Sequence, residues 1–114
     1  MLMKVEAIVR LETLAAITRA LADVGITELT VLEARGCGRQ KGVTGHFRGN
    51  EYTIPFLNKL KIEILMDESW VDQAVGEIVR AAWTGEIGDG KILILPVESA
   101  VYIDKTMRVV KAVE

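Results

Sequence analysis

Cysteine, proline and aromatic residues are all scarce in this sequence, and each scarcity excludes something. A single cysteine, Cys37, leaves no internal disulfide framework and suits a reducing compartment. Two prolines and 10 glycines in 114 residues argue against disorder. Aromatics make up only 5%, yet half of the residues are hydrophobic, enough for a proper core. There is no excess of positive charge: the formal net charge is −2, so nucleic acid is not a favoured partner. No apolar run approaches ~18 residues, so no segment is expected to be embedded in a membrane. The opening residues, MLMKVEAIVRLE, carry charges too early for a secretory signal. What remains is one soluble cytoplasmic domain over residues 1–114.

The feature that organises the chain is a stretch without periodicity, Gly36 to Asn58 (GCGRQKGVTGHFRGNEYTIPFLN). It lies between two strand-like runs, Glu28 to Arg35 and Lys59 to Met66. A structureless span beyond ~15 residues in a small domain points to a functional loop. Closing it costs little more than closing a shorter loop, roughly 0.6 kcal/mol per doubling of length.

In chain order, Met3 to Arg10 alternates as a strand, and Leu14, Ile17, Leu21 and Val24 mark one face of a helix. Thr13 is placed to cap that helix and Gly25 to end it. After the second strand, the loop and the third strand, Ser69 is placed to cap a second helix, with Asp67 and Glu68 near its positive end. Its inner face reads Val71, Ala74, Val75, Ile78 and Ala82, and Gly85 is the expected stop. Lys91 to Val97 is the fourth strand. The order βαβ, loop, βαβ predicts an α+β, ferredoxin-like fold: a four-stranded antiparallel sheet with both helices on one face. The strands are apolar on both sides in places (Ile62, Ile64, Leu65; Ile92 to Leu95), so the sheet's second face is expected to be buried between subunits. The tail, Glu98 to Glu114, alternates weakly and is expected to add an edge strand against a neighbour.

Two glycine-bearing pieces can carry chemistry. In GCGRQKG (Gly36 to Gly42) closely spaced glycines let backbone N–H groups turn toward an anion, and Arg39 and Lys41 add charge. TGEIGDGK (Thr84 to Lys91) leaves a helix and enters a strand with a lysine; it is not a Walker A loop, which runs from strand to helix. Each alone reads equally as an ordinary turn. His46 has no metal-ligand cluster around it and reads as a solvated loop residue, Cys37 as a small packed side chain, and Trp70 and Trp83 as packing residues flanking the second helix. Asp67, Glu68 and Asp89 form no acid/base pair with a visible base, and no Ser/His/Asp or Cys/His set is present, so a slow ATPase ranks last among functions.

In five blocks the sequence resembles the PII signal-transduction proteins, trimeric nitrogen-status sensors of bacteria, archaea and plastids. The blocks are EAIVR, GRQKG (Gly38 to Gly42), RGNEY (Arg48 to Tyr52), FLNKLKIEI (Phe56 to Ile64) and TGEIGDGKI (Thr84 to Ile92). The resemblance runs from about Met3 to Val97. It implies a homotrimer whose intersubunit clefts bind ATP or ADP and sense 2-oxoglutarate through a nucleotide-bound magnesium. It also implies that the long loop, the T-loop, docks into a transporter or metabolic enzyme. Carried over by motif, Arg39 contacts phosphate, Gln40 holds the Mg2+ beside 2-oxoglutarate, and Lys59 pairs with that acid's distal carboxylate. Gly88, Asp89, Gly90 and Lys91 shape and charge the phosphate site, with backbone help from Gly36 and Gly38. Tyr52 matches a loop tyrosine that some members have modified, and Glu63 stands where the family has a glutamate near the cleft, though it reads equally as a partner for a nearby lysine.

The departures are equally specific. Two phosphate-binding arginines of the family's last strand correspond to Tyr102 and Asp104. At ~1.5–3 kcal/mol per hydrogen bond to a charged group, losing both removes roughly 3–6 kcal/mol, or about 10²–10⁴ in affinity, unless Arg108 or Lys111 replaces them. The expected function is therefore a regulatory protein with an altered nucleotide preference, toward ADP or AMP over ATP. The alternative is a trimer that has lost ligand response and serves only as a docking module.

Overall fold

The computed structural model of the protein describes residues 1–36, 43–47, 50–54, 57–104 and 109–110, with 43–47, 50–54 and 109–110 by backbone alone. The elements run β1 (Leu2–Arg10), α1 (Leu14–Asp23), β2 (Thr30–Gly36), β3 (Val43–Phe47), β4 (Asn50–Ile54), β5 (Leu57–Asp67), α2 (Val71–Ala82), β6 (Gly90–Pro96), β7 (Ala100–Val101) and β8 (Val109–Val110). One antiparallel sheet has the order β2-β5-β1-β6, with β1 at the centre between β5 and β6. This is the ferredoxin-like α+β plan expected from the pattern.

Alternation along the strands decides which side is buried. Val5, Ala7 and Val9 of β1 and Leu60, Ile62, Ile64 and Met66 of β5 meet Ile17 and Leu21 of α1 and Val71, Ala74 and Ile78 of α2 in one aliphatic core. Each fully buried branched side chain contributes about 1.5–3 kcal/mol, so this layer carries the fold without aromatic residues. The helix faces predicted from spacing are the ones buried; Leu14 and Val75 pack at the margin.

Several local expectations are corrected. Thr13 stands before α1, but its hydroxyl donates to the Arg10 carbonyl (2.8 Å) and caps nothing. A 3₁₀ turn, Leu11–Thr13, runs straight into the helix, so Thr13 has helical angles and cannot aim its oxygen at the first-turn amides. At the second helix Ser69 lies inside a similar turn, and Asp67 is the extended residue that accepts from the Ser69 amide (2.9 Å). Gly25 does end α1: at φ 87° its N–H reaches the Ala22 carbonyl, and that of Ile26 the Leu21 carbonyl, both at 2.9 Å. Gly85 does not end α2. The helix stops because Trp83 turns extended, two residues earlier, with its N–H on the Val79 carbonyl.

The long stretch read as structureless contains a hairpin, β3 against β4, with Gly45 opposite Tyr52. Five-residue strands interrupted by glycine carry too little alternation to be seen in sequence. The tail pairs with itself, Ala100 opposite Val110, rather than presenting one continuous edge strand. Closing a short local turn loses less chain entropy than a distant pairing.

On the face away from the helices, Leu32, Leu65, Leu93 and Leu95 are exposed, the three last between 38% and 43%. A charged strip crosses this face. Glu6, only 8% exposed, holds Lys4 at 2.7 Å and Lys61 at 3.6 Å, and Lys61 reaches Glu63 at 3.3 Å.

Candidate functional site

Between α2 and β6 the chain must turn within seven residues, 83–89, and one carboxylate organises that turn. Asp89 accepts from the Thr84 amide (2.7 Å), the Gly85 amide (3.0 Å) and the Thr84 hydroxyl. The Thr84 hydroxyl oxygen in turn accepts from the Glu86 amide (3.1 Å). The Thr84 donors, joined by Arg10, hold the Asp89 carboxyl far below the usual carboxylate range. Gly88 and Gly90 have φ of 98° and 127°. A Cβ on Gly90 would lie 2.0 Å from the Ile8 carbonyl oxygen, so only glycine lets β6 join β1 here.

Two cations grip this loop from the sheet. Arg10 ends β1 and Lys59 lies directly opposite it on β5. Arg10 donates through Nε to Asp89 (3.1 Å) and through Nη2 to the Ile87 carbonyl (2.9 Å). Lys59 donates to the next carbonyl, Gly88, at 2.9 Å. Burial first, then the Arg10 charge, pushes the Lys59 ammonium below its usual value. Lys91 follows at the start of β6, in register with Ile8.

The predicted residues Lys59, Gly88, Asp89, Gly90 and Lys91 are thus brought together, and Gly36, the last residue of β2, adjoins the Lys59 side chain. Gly38, Arg39 and Gln40, like Cys37, lie outside the described residues. Tyr52 and His46 lie in β4 and β3, and their side chains are likewise outside the described set. Arg10 and Thr84 were given no role from the sequence. Their partner, Asp89, is 79 residues from Arg10, and a strand-terminal arginine facing a glycine loop is the only signal that could have pointed to it. The tryptophans, expected as packing residues, lie outside the aliphatic core of this chain. Trp83 is 70% exposed, with its ring against Gly85, and Trp70 is 44% exposed. Among the described residues no group of three His, Cys, Asp or Glu is placed to hold a metal ion.

A cleft of about 370 Å³ opens beside the loop, lined by Leu11, Glu33, Ala34, Arg35, Asn58 and Lys59. A roomier cleft, about 750 Å³, lies at the opposite end of the sheet, where β5 runs on past the start of β2. Its lining includes Thr30, Glu63, Ile64, Trp70 and Tyr102, and among the described residues no lysine or arginine. The nine residues of β1 separate the two ends by about 30 Å at ~3.4 Å per residue. Tyr102 therefore stands far from the glycine loop of its own chain, and so does Asp104, whose amide meets the Tyr102 carbonyl.

Residues 2–107 match the family model described as nitrogen regulatory protein P-II. The chain is 58% identical over 100 residues to the nitrogen regulatory protein P-II of Synechocystis, covering 88% of this chain and 89% of that protein. It is 51% identical to that of Azospirillum brasilense and 48% identical to P-II 1 of Escherichia coli K12, with the same coverage. Among solved structures it resembles Arabidopsis thaliana PII bound to citrate, with a TM-score of 0.76 and 33% identity, over 96% of this chain and 86% of that one.

Proposed function

This chain belongs to the nitrogen regulatory protein P-II family, and on that premise we propose a cytoplasmic regulator, not an enzyme, that binds an adenine nucleotide between subunits. Its long loop, 36–58, transmits the bound state to a transporter or metabolic enzyme. The observation that carries the reading is the loop gripped by Arg10 and Lys59. Two opposed cations meet a glycine-rich turn, Arg10 on the Asp89 carboxylate and Lys59 on the Gly88 carbonyl, which favours an anion. The citrate named with the Arabidopsis relative, a polycarboxylate, is chemistry of the same sign.

A shared cleft follows from distance. The resemblance assigns both the glycine loop and the Tyr102 region to one nucleotide, yet about 30 Å separates the two ends of β1. A single mononucleotide that touches both must therefore lie between two copies. Lys59 and Gln40, with a nucleotide-bound magnesium, are the residues proposed for 2-oxoglutarate, and Arg39, Gly36, Gly38, Gly88, Gly90 and Lys91 those for phosphate, with Asp89 shaping the loop that presents them. Magnesium would supply a hard cation for phosphate and carboxylate oxygens. Tyr52 is a candidate modification site.

Nucleotide preference is the open part of the proposal. Without cations at Tyr102 and Asp104, ADP or AMP is expected to bind as well as or better than ATP. Calorimetry with ATP, ADP and AMP, with and without 2-oxoglutarate, tests it; tight magnesium-ATP binding strengthened by 2-oxoglutarate would refute the altered preference. The same two residues favour a second reading, a docking trimer without ligand response. Ligand-dependent thermal shift separates the readings, because a true ligand stabilises by RT ln(1 + [L]/Kd).

A further inference from the structure

On the helix side of the sheet, α2 does not close fully onto β6. A groove of about 330 Å³ lies between them, lined by Val9, Ile78, Val79 and Ile92 and completed by Gly90 of the glycine loop. An apolar cavity of about 150 Å³ already suffices for a benzene ring, so this one has room for an indole. Trp83, at the end of α2, lines the same groove and is nevertheless 70% exposed. Its place is fixed. Its N–H is bonded to the Val79 carbonyl, and its ring lies where a Cβ on Gly85 would meet it at 3.4 Å. A ring braced in this way loses little freedom when it binds. Val79, one turn earlier on α2, is 48% exposed, and Ile87 in the loop 66%. A protruding ring and an apolar socket therefore share one surface.

We infer that this surface is a self-association site, in which Trp83 of each of two copies enters the groove of the other. The occupant is a second copy because the patch complements itself. A two-fold contact uses the same patch on both partners, so ring and socket must stand side by side on one chain, as they do here. Charge agrees with shape. Arg80 and Glu77, an ion pair on α2, and the exposed Glu86 and Lys91 flank the patch with both signs, so two such patches meet without net repulsion. The carboxylate of Asp89, which also borders the groove, is already taken by Arg10. Area sets the strength. Two seated indoles bury on the order of 300–500 Å² between them. With Val79 and Ile87 around each, the contact falls short of the ~1,200 Å² of a stable dimer, so the pairing is reversible and depends on concentration.

The test uses the full-length chain with Trp70→Phe, which leaves Trp83 as its one tryptophan. Sedimentation velocity and tryptophan emission are followed together from roughly 1 μM to 1 mM, the range in which a contact of this size dissociates. Species above the smallest assembly are expected to grow with concentration and to vanish on dilution, with the emission moving to shorter wavelength in step. Trp83→Glu in the otherwise unaltered chain is expected to hold the smallest assembly at every concentration while far-ultraviolet circular dichroism stays native. Leu93→Glu with Trp70→Phe, altered on the opposite face of the sheet, is expected to keep the concentration-dependent emission shift. Emission that holds its dilute-solution wavelength up to 1 mM overturns the inference, and so does growth that persists in Trp83→Glu. Should Trp83→Glu fail to fold, the emission series of the Trp70→Phe chain decides alone.

Discussion

Asp89 shows how one residue can shape a site without offering itself to a ligand. Its oxygens are taken by Thr84, Gly85 and Arg10, and these donors depress its carboxyl well below the ordinary aspartate value of 3.8. A folded-state value below the unfolded one stabilises the protein above about pH 3.8 and loses that contribution as pH falls toward the depressed value. Asp89→Asn is therefore expected to lower thermal stability at pH 7 and to flatten its decline between about pH 4 and 2; equal slopes for both proteins would contradict this. Gly90 is constrained differently. Gly90→Ala places a methyl 2.0 Å from the Ile8 carbonyl at a φ of 127°, so β6 must separate from β1 or shift. A loss of roughly 2–4 kcal/mol is expected, seen as a melting temperature lowered by about 8 °C or more. A variant that melts with the wild type would mean the strand moves without strain.

At the scale of elements, the helices owe their places to single buried stripes. Ile78 is 1% exposed between α2 and the sheet. Truncating it leaves a cavity under close-packed neighbours, and Ile78→Ala is expected to cost about 2–5 kcal/mol by chemical denaturation. The mutation removes no group of the glycine loop, so nucleotide affinity of the folded fraction should be unchanged. Both helices, the four long strands and the core stripe were legible in the sequence because apolar spacing of two or of three and four survives to the folded state unaltered. Helix N-caps were not. Thr13 and Ser69 have the right chemistry for a cap, but 3₁₀ turns displaced them from the capping angle, and a turn of three residues has no periodicity to reveal it. The hairpin β3–β4 escaped for a related reason, since pairing between two five-residue strands is decided by a partner rather than by a pattern.

For the whole molecule, the sheet's second face is the outstanding property. Leu65, Leu93 and Leu95 are exposed there beside a nearly buried Glu6 with its two lysines, an arrangement of apolar rim and fixed charge that a neighbouring copy would cover. Covering it would bury the apolar groups and give the ion pairs a role in fixing register. On the trimeric reading proposed above, Leu93→Glu is expected to sediment as a monomer while far-ultraviolet circular dichroism stays native. Retention of a trimer by that variant would place the interface elsewhere.

The sequence by itself determined the order of the two helices and four long strands, the buried stripes and the glycine-bearing segments, because those depend on neighbours along the chain and on spacing within one element. It also marked Lys59, Asp89 and Lys91 as chemistry near a loop, by resemblance. Only the tertiary structure decided that Arg10 belongs with them, that Asp89 looks inward, and that Tyr102 stands at the far end of the sheet from that loop. Those facts depend on which residues of β1, β5 and β6 lie opposite one another, and strand register is set by the packing of the whole sheet.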